Sequence, residues 1–307
     1  MMIGDFVRAV RKRNLGAYGI HVHRAGHPPV EHRFRPDERV NLYSVAKTFT
    51  AVALGLAEAE GRLTLDDRLL DHLPELRPLA ADGFGAVTLR HLTTMTSGTS
   101  HRWFAHQRID AADLLHEIVA APLVAEPGTR FAYTGSGPYA VGRVIARVTG
   151  ADLRAYLLPR LFQPLGLHDP TWRTCPLGFP FAESDLFLTT EELARFARLL
   201  LQDGEWEGRR VLPAGFARRM SRETVASSRR PPGGPYTHGY GLGVWRDRDG
   251  AYRMDGAHGQ YAVIDPARRA AVTVTAHSGD DQALLAAIHD LVLSRLPVCE
   301  VQGPVSV

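Results

Sequence analysis

The apolar positions of this chain change their spacing four times. Over residues 3–13, Ile3, Phe6, Val7 and Val10 fall three and four apart, the period of a helix with one buried face. The stretches AYGIHVHR (17–24) and VEHRF (30–34) then read as strands, and the Gly- and Pro-bearing HRAGHPP between them predicts a hairpin. VAKTFTAVALGLAEAEG (45–61) is apolar through much of its length and ends at Gly61, which predicts a buried helix with a glycine just past its C-terminus. From 62 to about 225 helical spacing dominates, in LLHEIVAAPLV, PYAVGRVIARVTG, LRAYLLPRLF and TEELARFARLLLQDG, separated by Pro- and Gly-rich turns. After the loop ASSRRPPGGPYTH (226–238) the pattern shortens again, and YGLGVWR, YRMDG, QYAVIDP and AAVTVTAH read as successive antiparallel strands. An amphipathic helix over about 281–295 closes the series.

Strands at both ends and helices between them predict an α/β protein of the α+β type. One antiparallel sheet is built from residues 1–61 and 237–307 with helices on its faces, and 62–236 is an inserted, mostly helical domain. No internal repeat occurs.

Composition narrows the function classes. The chain has 307 residues, 45% hydrophobic and 22% charged, with a formal net charge of +3. Its basic residues are scattered, which argues against a nucleic-acid partner. No apolar run reaches a membrane span, and MMIGDFVRAVRKRN lacks the pattern of a secretory signal, so the expectation is a cytoplasmic protein with reduced thiols. Two distant cysteines, Cys175 and Cys299, give neither a disulfide framework nor metal-ligand spacing. His21 and His23 share one face of a strand, but no third ligand accompanies them, and no metal or cofactor is expected.

The candidate chemistry lies at the start of the 45–61 helix. Ser44-Val45-Ala46-Lys47 places a serine and a lysine three apart, on one face and about a turn from each other. Lys12 and Lys47 are the only lysines of the chain, whose other basic side chains are arginines. Arg cannot give up its proton in a protein and Lys can, so a lysine kept at 47 fits a need for a neutral amine. A helix start also stabilises negative charge on a nearby oxygen through its unpaired N–H groups. A serine there, beside an amine that takes its proton, is a competent acyl nucleophile. Tyr133, in the turn-rich EPGTRFAYTGSGP, could relay a proton to the leaving group, and Gly256 and Gly259 in DGAHGQYAVIDP could let a substrate carbonyl approach the backbone.

With these residues in view the chain resembles the serine β-lactamase and penicillin-recognising family. Within that family it looks most like class C β-lactamases, family VIII esterases and 6-aminohexanoate-dimer hydrolase. Six blocks follow the family's order: LYSVAKTFTAVALGLAEAEGRLTLDDRLLDHLPEL, VTLRHLTTMTSG, EPGTRFAYTG, RLFQPLGLHDPTW, LTTEELARFARLLLQDGEWEGRRVLP and GAHGQYAVIDP. The resemblance makes Ser44 the nucleophile, Lys47 its lysine partner and Tyr133 the tyrosine of the second motif. Gly259 fits the glycine of the third motif, and the backbone N–H groups of Ser44 and Gln260 would form the oxyanion hole. Two departures stand out. The second motif commonly carries Asn near its tyrosine, whereas this chain has Gly135, leaving Thr134 or Ser136 to supply a hydrogen bond. The third motif has Ala257 where Lys or His is usual, with His258 one place later; on a strand, His258 would face the pocket only if Ala257 did not.

These departures remove groups that hold a β-lactam's amide and carboxylate. The expected activity is therefore hydrolysis of small esters or amides through a Ser44 acyl-enzyme, with small-molecule substrates as partners. A transacylase, a β-lactamase or D-Ala carboxypeptidase, and a catalytically silent binding protein are the alternatives.

Overall fold

The computed structural model describes residues 3–102, 111–227 and 234–299. Its main sheet joins both ends of the chain, as the sequence pattern implies. β1 (Ala17–Arg24) and β2 (Val30–Arg33) form the hairpin, with Gly19 opposite Arg33 and Val22 opposite Val30. From the other end come β8 (Trp245–Arg246), β9 (Tyr252–Gly256), β10 (Gln260–Asp265) and β11 (Ala270–Ala276). All pairs are antiparallel, in the order β2-β1-β11-β10-β9-β8. β1 of the N-terminal segment thus pairs with β11 of the C-terminal one.

Alternation along the strands divides the core in two. Tyr261 and Val263 of β10, with Val272 and Val274 of β11, face the helices Gly4–Arg13 and Asp281–Leu291, meeting Phe6, Val10, Leu284 and Ile288. Ala262, Ile264 and Ala271 face the opposite way, into the larger core that holds the helix Ala46–Ala59. The helix Thr190–Leu201, inside the segment read as a helical insertion, lies against the sheet itself: Thr190 Oγ1 stands 2.7 Å from Thr275 Oγ1 on β11. Its N-terminus is fixed by a capping box between Thr189 and Glu192. The remaining strands are short. β3 (Val40–Asn41), β4 (Thr171–Trp172) and β5 (Leu186–Leu188) form a small sheet in the order β3-β5-β4, and β6 (Glu205–Trp206) pairs with β7 (Arg209–Arg210).

Two local readings are corrected. YGLGVWR supplies only Trp245 and Arg246 as strand. Its Gly243 has φ +71° and passes so close to the 46–59 helix that a Cβ there would lie 2.8 Å from Lys47 O. Thr48 Oγ1 donates to Gly243 O at 2.6 Å and holds that bend against the helix. In GAHGQ, residues 257–259 are the turn of the β9–β10 hairpin rather than the start of a strand, with Gly256 opposite Gln260. His258 (φ +62°) and Gly259 (φ +88°) both lie in the left-handed region, so strand alternation does not decide where His258 points. Among the described residues no helix is long and apolar enough to cross a membrane.

Candidate active site

Ser44 does not belong to the long helix. It sits in the 3-10 turn Tyr43–Val45 that leads into Ala46–Ala59. The turn is entered through a constrained backbone: Tyr43 has φ +47°, and Asn41 Oδ1 accepts its N–H at 2.8 Å. The same Asn41 oxygen accepts the N–H of Asp185 at 3.2 Å, which ties the turn to β5 and the residues before it. The helix behind the serine is buried from Ala46 to Ala57, so the turn rests on a rigid support.

The first helical turn delivers Lys47 to the serine. Lys47 Nζ stands 2.8 Å from Ser44 Oγ and donates to Glu183 O at 3.1 Å. The Glu183 carboxyl lies 3.7 Å from the same nitrogen, and the two side chains are only 1% and 2% exposed. Tyr133 covers the amine from the other side, its ring centroid 4.9 Å from Nζ. Ser44 and Lys47 are thus joined at one point by Tyr133, which is distant in sequence. Glu183 is the member of this group that sequence reasoning misses. FAESD offers no periodicity and no motif spacing, and only the fold brings it 136 residues back to Lys47.

An aromatic wall stands beside this point. The rings of Tyr133 and Trp245 are 5.2 Å apart, those of Tyr133 and Tyr240 5.7 Å, and Phe131 and Tyr236 each pack on Trp245. Next to Tyr133 opens a cavity of about 610 Å³, bordered by Ser97, Thr99, His101, Arg130 and Thr134 among others. Thr134 borders this space, whereas Ser136 is fully buried at the start of the helix Ser136–Thr149. The Ser136 hydroxyl lies 2.9 Å from His101 Nδ1 and 3.0 Å from Thr134 Oγ1, so it supports Thr134 from behind. The loops SGTSHRWFAHQ (97–107) and 226–238, which the sequence offers as pocket walls, lie in part outside the described residues, at 103–107 and 228–233.

The third motif approaches through β9. A Cβ on Gly256 would fall 2.2 Å from Leu42 O, so only glycine lets β9 run this close to the Ser44 turn. His258 is exposed, stacked on His277 with 4.6 Å between centroids and edge-on to Tyr43 at 5.3 Å. Gln260 begins β10, one strand further into the sheet, and its buried side chain donates to Ala276 O at 2.6 Å and accepts from Ala276 N–H at 3.2 Å.

A second buried charge cluster braces the aromatic wall. Arg253 on β9 is fully buried and reaches Asp247 at 3.1 Å, Asp255 at 2.9 Å and Pro235 O at 2.9 Å. His289 lies 3.0 Å from Asp247, and the Tyr236 hydroxyl 3.4 Å from Asp255. Burial alone would push the Asp247 carboxyl up. The hydrogen bond from His289 and the charge of Arg253 outweigh it and hold that carboxyl well below the usual range.

His21 and His23 line a different and larger cavity, of about 980 Å³, together with Arg195, Arg198 and Trp206 on the Thr190–Leu201 side. None of the residues grouped around Ser44 borders it. Among the described residues no group of three or more His, Cys, Asp or Glu side chains is placed to hold a metal.

Comparison with known proteins identifies the family and the fold. The family model described as Beta-lactamase matches residues 15–294. Esterase EstB of Burkholderia gladioli is 33% identical over 189 residues, 56% of this chain and 45% of EstB. The 6-aminohexanoate-dimer hydrolase of Paenarthrobacter ureafaciens is 26% identical over 259 residues, 76% of this chain and 64% of that protein. The chain thus spans about half to two thirds of the length of these curated relatives. Among solved structures, EstCE1, a hydrolase with promiscuous acyltransferase activity, superposes with a TM-score of 0.76 at 18% identity, covering 95% of this chain and 98% of that one. The octameric penicillin-binding protein homologue from Pyrococcus abyssi gives 0.72 at 19%, covering 95% and 77%. The fold is that of the β-lactamases and transpeptidases, and the chain belongs to the Beta-lactamase family.

Proposed function

We propose that the protein is a serine hydrolase that cleaves small esters or amides through an acyl-enzyme on Ser44. The observation that carries this reading is the 2.8 Å approach of Lys47 Nζ to Ser44 Oγ on a buried helix start. Lys47 takes the hydroxyl proton as Oγ attacks the substrate carbonyl. The developing oxyanion is held by backbone N–H groups, a contribution often worth about 10²–10³ in rate for one donor. Ser44 supplies the first. Ala257, the first turn residue after β9, is a better second donor than Gln260, because β9 is the strand that abuts Leu42 O while Gln260 lies across the hairpin. Tyr133, packed over Lys47, passes the proton to the leaving group, and water then attacks the acyl-enzyme by the same route in reverse.

Ester carbonyls need little beyond these groups. A β-lactam's carboxylate and amide need the Asn and the Lys or His that this chain lacks, and each missing partner costs about 1–3 kcal/mol. A fluorophosphonate probe is expected to add one adduct mass to the wild type and none to Ser44→Ala. The same variant is expected to lose roughly 10³-fold or more in p-nitrophenyl ester turnover, and the wild type to prefer those esters strongly over nitrocefin. An Ala variant with near-native kcat would remove Ser44 as nucleophile, and equal hydrolysis of nitrocefin would put a β-lactamase first.

Acyl transfer to an alcohol or amine is the second reading. It is favoured by the Tyr133 ring, which borders the cavity and is backed by the buried Tyr240 and Trp245, an apolar face against which an acceptor can displace water. The 29% identity over 160 residues to monacolin J acid methylbutanoyltransferase of Aspergillus terreus points the same way. Transfer product forming faster than free acid when an alcohol is added identifies this branch.

A further inference from the structure

Tyr133 lies outside any helix or strand, so no regular backbone fixes its ring. The chain is pinned on either side of it: Ala132 N–H donates to Met95 O at 2.8 Å, and Thr134 Oγ1 lies 3.0 Å from Ser136 Oγ. Neither contact sets the angle of the tyrosine side chain. Packing sets it, and Trp245 is the centre of that packing. The rings of Phe131, Tyr133, Tyr236 and Tyr240 lie 5.8, 5.2, 4.8 and 4.8 Å from the Trp245 ring. Tyr240 meets Tyr133 edge-on at 82°, whereas Trp245 is tilted only 31° from the plane of the tyrosine. Two attachments hold the indole. Trp245 pairs with Arg253 across β8 and β9, and the Arg253 guanidinium also lies 5.0 Å from the Tyr236 ring. Two residues before Trp245, the bend at Gly243 accepts from Thr48 Oγ1 at 2.6 Å and runs against Lys47 O. The indole and the Lys47 amine are therefore mounted on one helical turn, and a ring packed on the indole keeps its distance from the amine.

We propose that Trp245 is a positioning residue for Tyr133: it holds the tyrosine ring over Lys47, where the phenol can hand a proton to the leaving group. This rests on the relay role of Tyr133 proposed above. In acylation the bond from Ser44 Oγ to the carbonyl carbon forms and the bond to the leaving oxygen breaks. Tyr133 gives its hydroxyl proton to that oxygen and regains one from Lys47, which has taken the proton of Ser44. Trp245 exchanges nothing. It is 3% exposed and stands behind Tyr133, which borders the cavity, so its effect reaches the substrate through the tyrosine. Such geometry is steep, since a misplacement of about 1 Å can cost on the order of 10²-fold in rate. A smaller side chain at 245 leaves room for the tyrosine to turn away from Lys47. The cost then depends on the leaving group. An alkoxide must be protonated as it departs, whereas p-nitrophenolate leaves as the anion at neutral pH. A displaced relay therefore slows alkyl esters and spares p-nitrophenyl esters, while a loosened core with no link to the relay slows both alike.

The test is kcat/KM of Trp245→Leu and Trp245→Phe on ethyl butyrate and p-nitrophenyl butyrate, each in the wild-type and the Tyr133→Phe background. W245L is expected to lose roughly 10²-fold on the ethyl ester and less than about tenfold on the p-nitrophenyl ester. W245F, still aromatic, is expected to move the two rates in the same sense by only about three- to fivefold on the ethyl ester. In the Y133F background W245L is expected to cost no more than about threefold further, because the group it positions is gone. The ratio of the two rates on one preparation does not depend on how much of it is folded, so a poorly folding W245L still answers, and W245F repeats the comparison with a milder change. Equal losses on both esters, or full multiplication of the two effects in the double variant, overturn the proposal. The two levels separate through Y133F alone. If Y133F slows both esters equally, the relay role of Tyr133 falls and the proposal with it. If Y133F spares the p-nitrophenyl ester and W245L does not, Trp245 alone is rejected.

Discussion

The molecule buries two clusters of charge, and they are built in opposite ways. Arg253 is saturated: Asp247, Asp255 and Pro235 O all bind its guanidinium at 2.9–3.1 Å, and His289 and Tyr236 extend the network. Lys47 and Glu183 are equally buried, but their side chains stay 3.7 Å apart, while Lys47 spends its shortest contact on Ser44. Several short bonds to fixed partners make a brace that holds one geometry. One loose pair at a helix start makes a site whose proton can move. On the proposed reading, the contrast separates a charge kept for architecture from one kept for chemistry, although both are out of reach of solvent.

The sharpest way to break this comparison is to remove each cation in turn. Lys47→Met is expected to lower kcat/KM by roughly 10³-fold or more, and Lys47→Arg to be nearly as damaging, because Arg keeps the charge but cannot act as a base. Both are expected to leave urea-unfolding midpoints close to the wild type's. Substantial activity in Lys47→Arg would make Lys47 a fixed charge like Arg253, and the distinction would collapse. Arg253→Met is expected to act the other way, costing about 3–5 kcal/mol of stability, because two buried carboxylates lose their partner. A loss below about 1 kcal/mol by urea titration would show that the network is not a brace.

The smallest expected effect is on acid stability. The folded state holds Asp247 well below its unfolded value near 3.9. The stability this contributes is therefore present above about pH 4 and is lost as pH falls further, toward the lower folded value. Asp247→Asn is expected to be less stable than the wild type at neutral pH, with a shallower loss of Tm below pH 4. Parallel slopes for the two proteins would remove Asp247 as the acid-sensitive member of the network.

How much of this was legible in the sequence depends on the distance over which each signal acts. Ser44 and Lys47 could be read because a helix start places residues three apart on one face, a relation carried in four letters. Strands such as Tyr252–Gly256, Gln260–Asp265 and Ala270–Ala276 could be read from β-branched and aromatic runs between turn residues. The strands on either side of 257–259 are legible, but the strand alternation applied to Ala257 and His258 does not hold in the three-residue turn between them. A glycine at φ +88° and a histidine at φ +62° serve a turn, and no letter distinguishes that use from close approach of a substrate. Glu183, Trp245 and Tyr240 join the site only through tertiary packing. An acid between an alanine and a serine looks like any surface residue until the turn before β5 brings it to Lys47.

The scarcity of lysine has a practical corollary for spectroscopy. With side-chain amines only at positions 12 and 47, protein grown on lysine labelled with ¹⁵N at Nζ yields two side-chain nitrogen resonances and needs no assignment strategy. Lys12, exposed in the last turn of the N-terminal helix, supplies an internal standard that reports bulk solvent. The other line belongs to the amine beside Ser44, so its proton occupancy can be followed through a titration, or through acylation, one atom at a time.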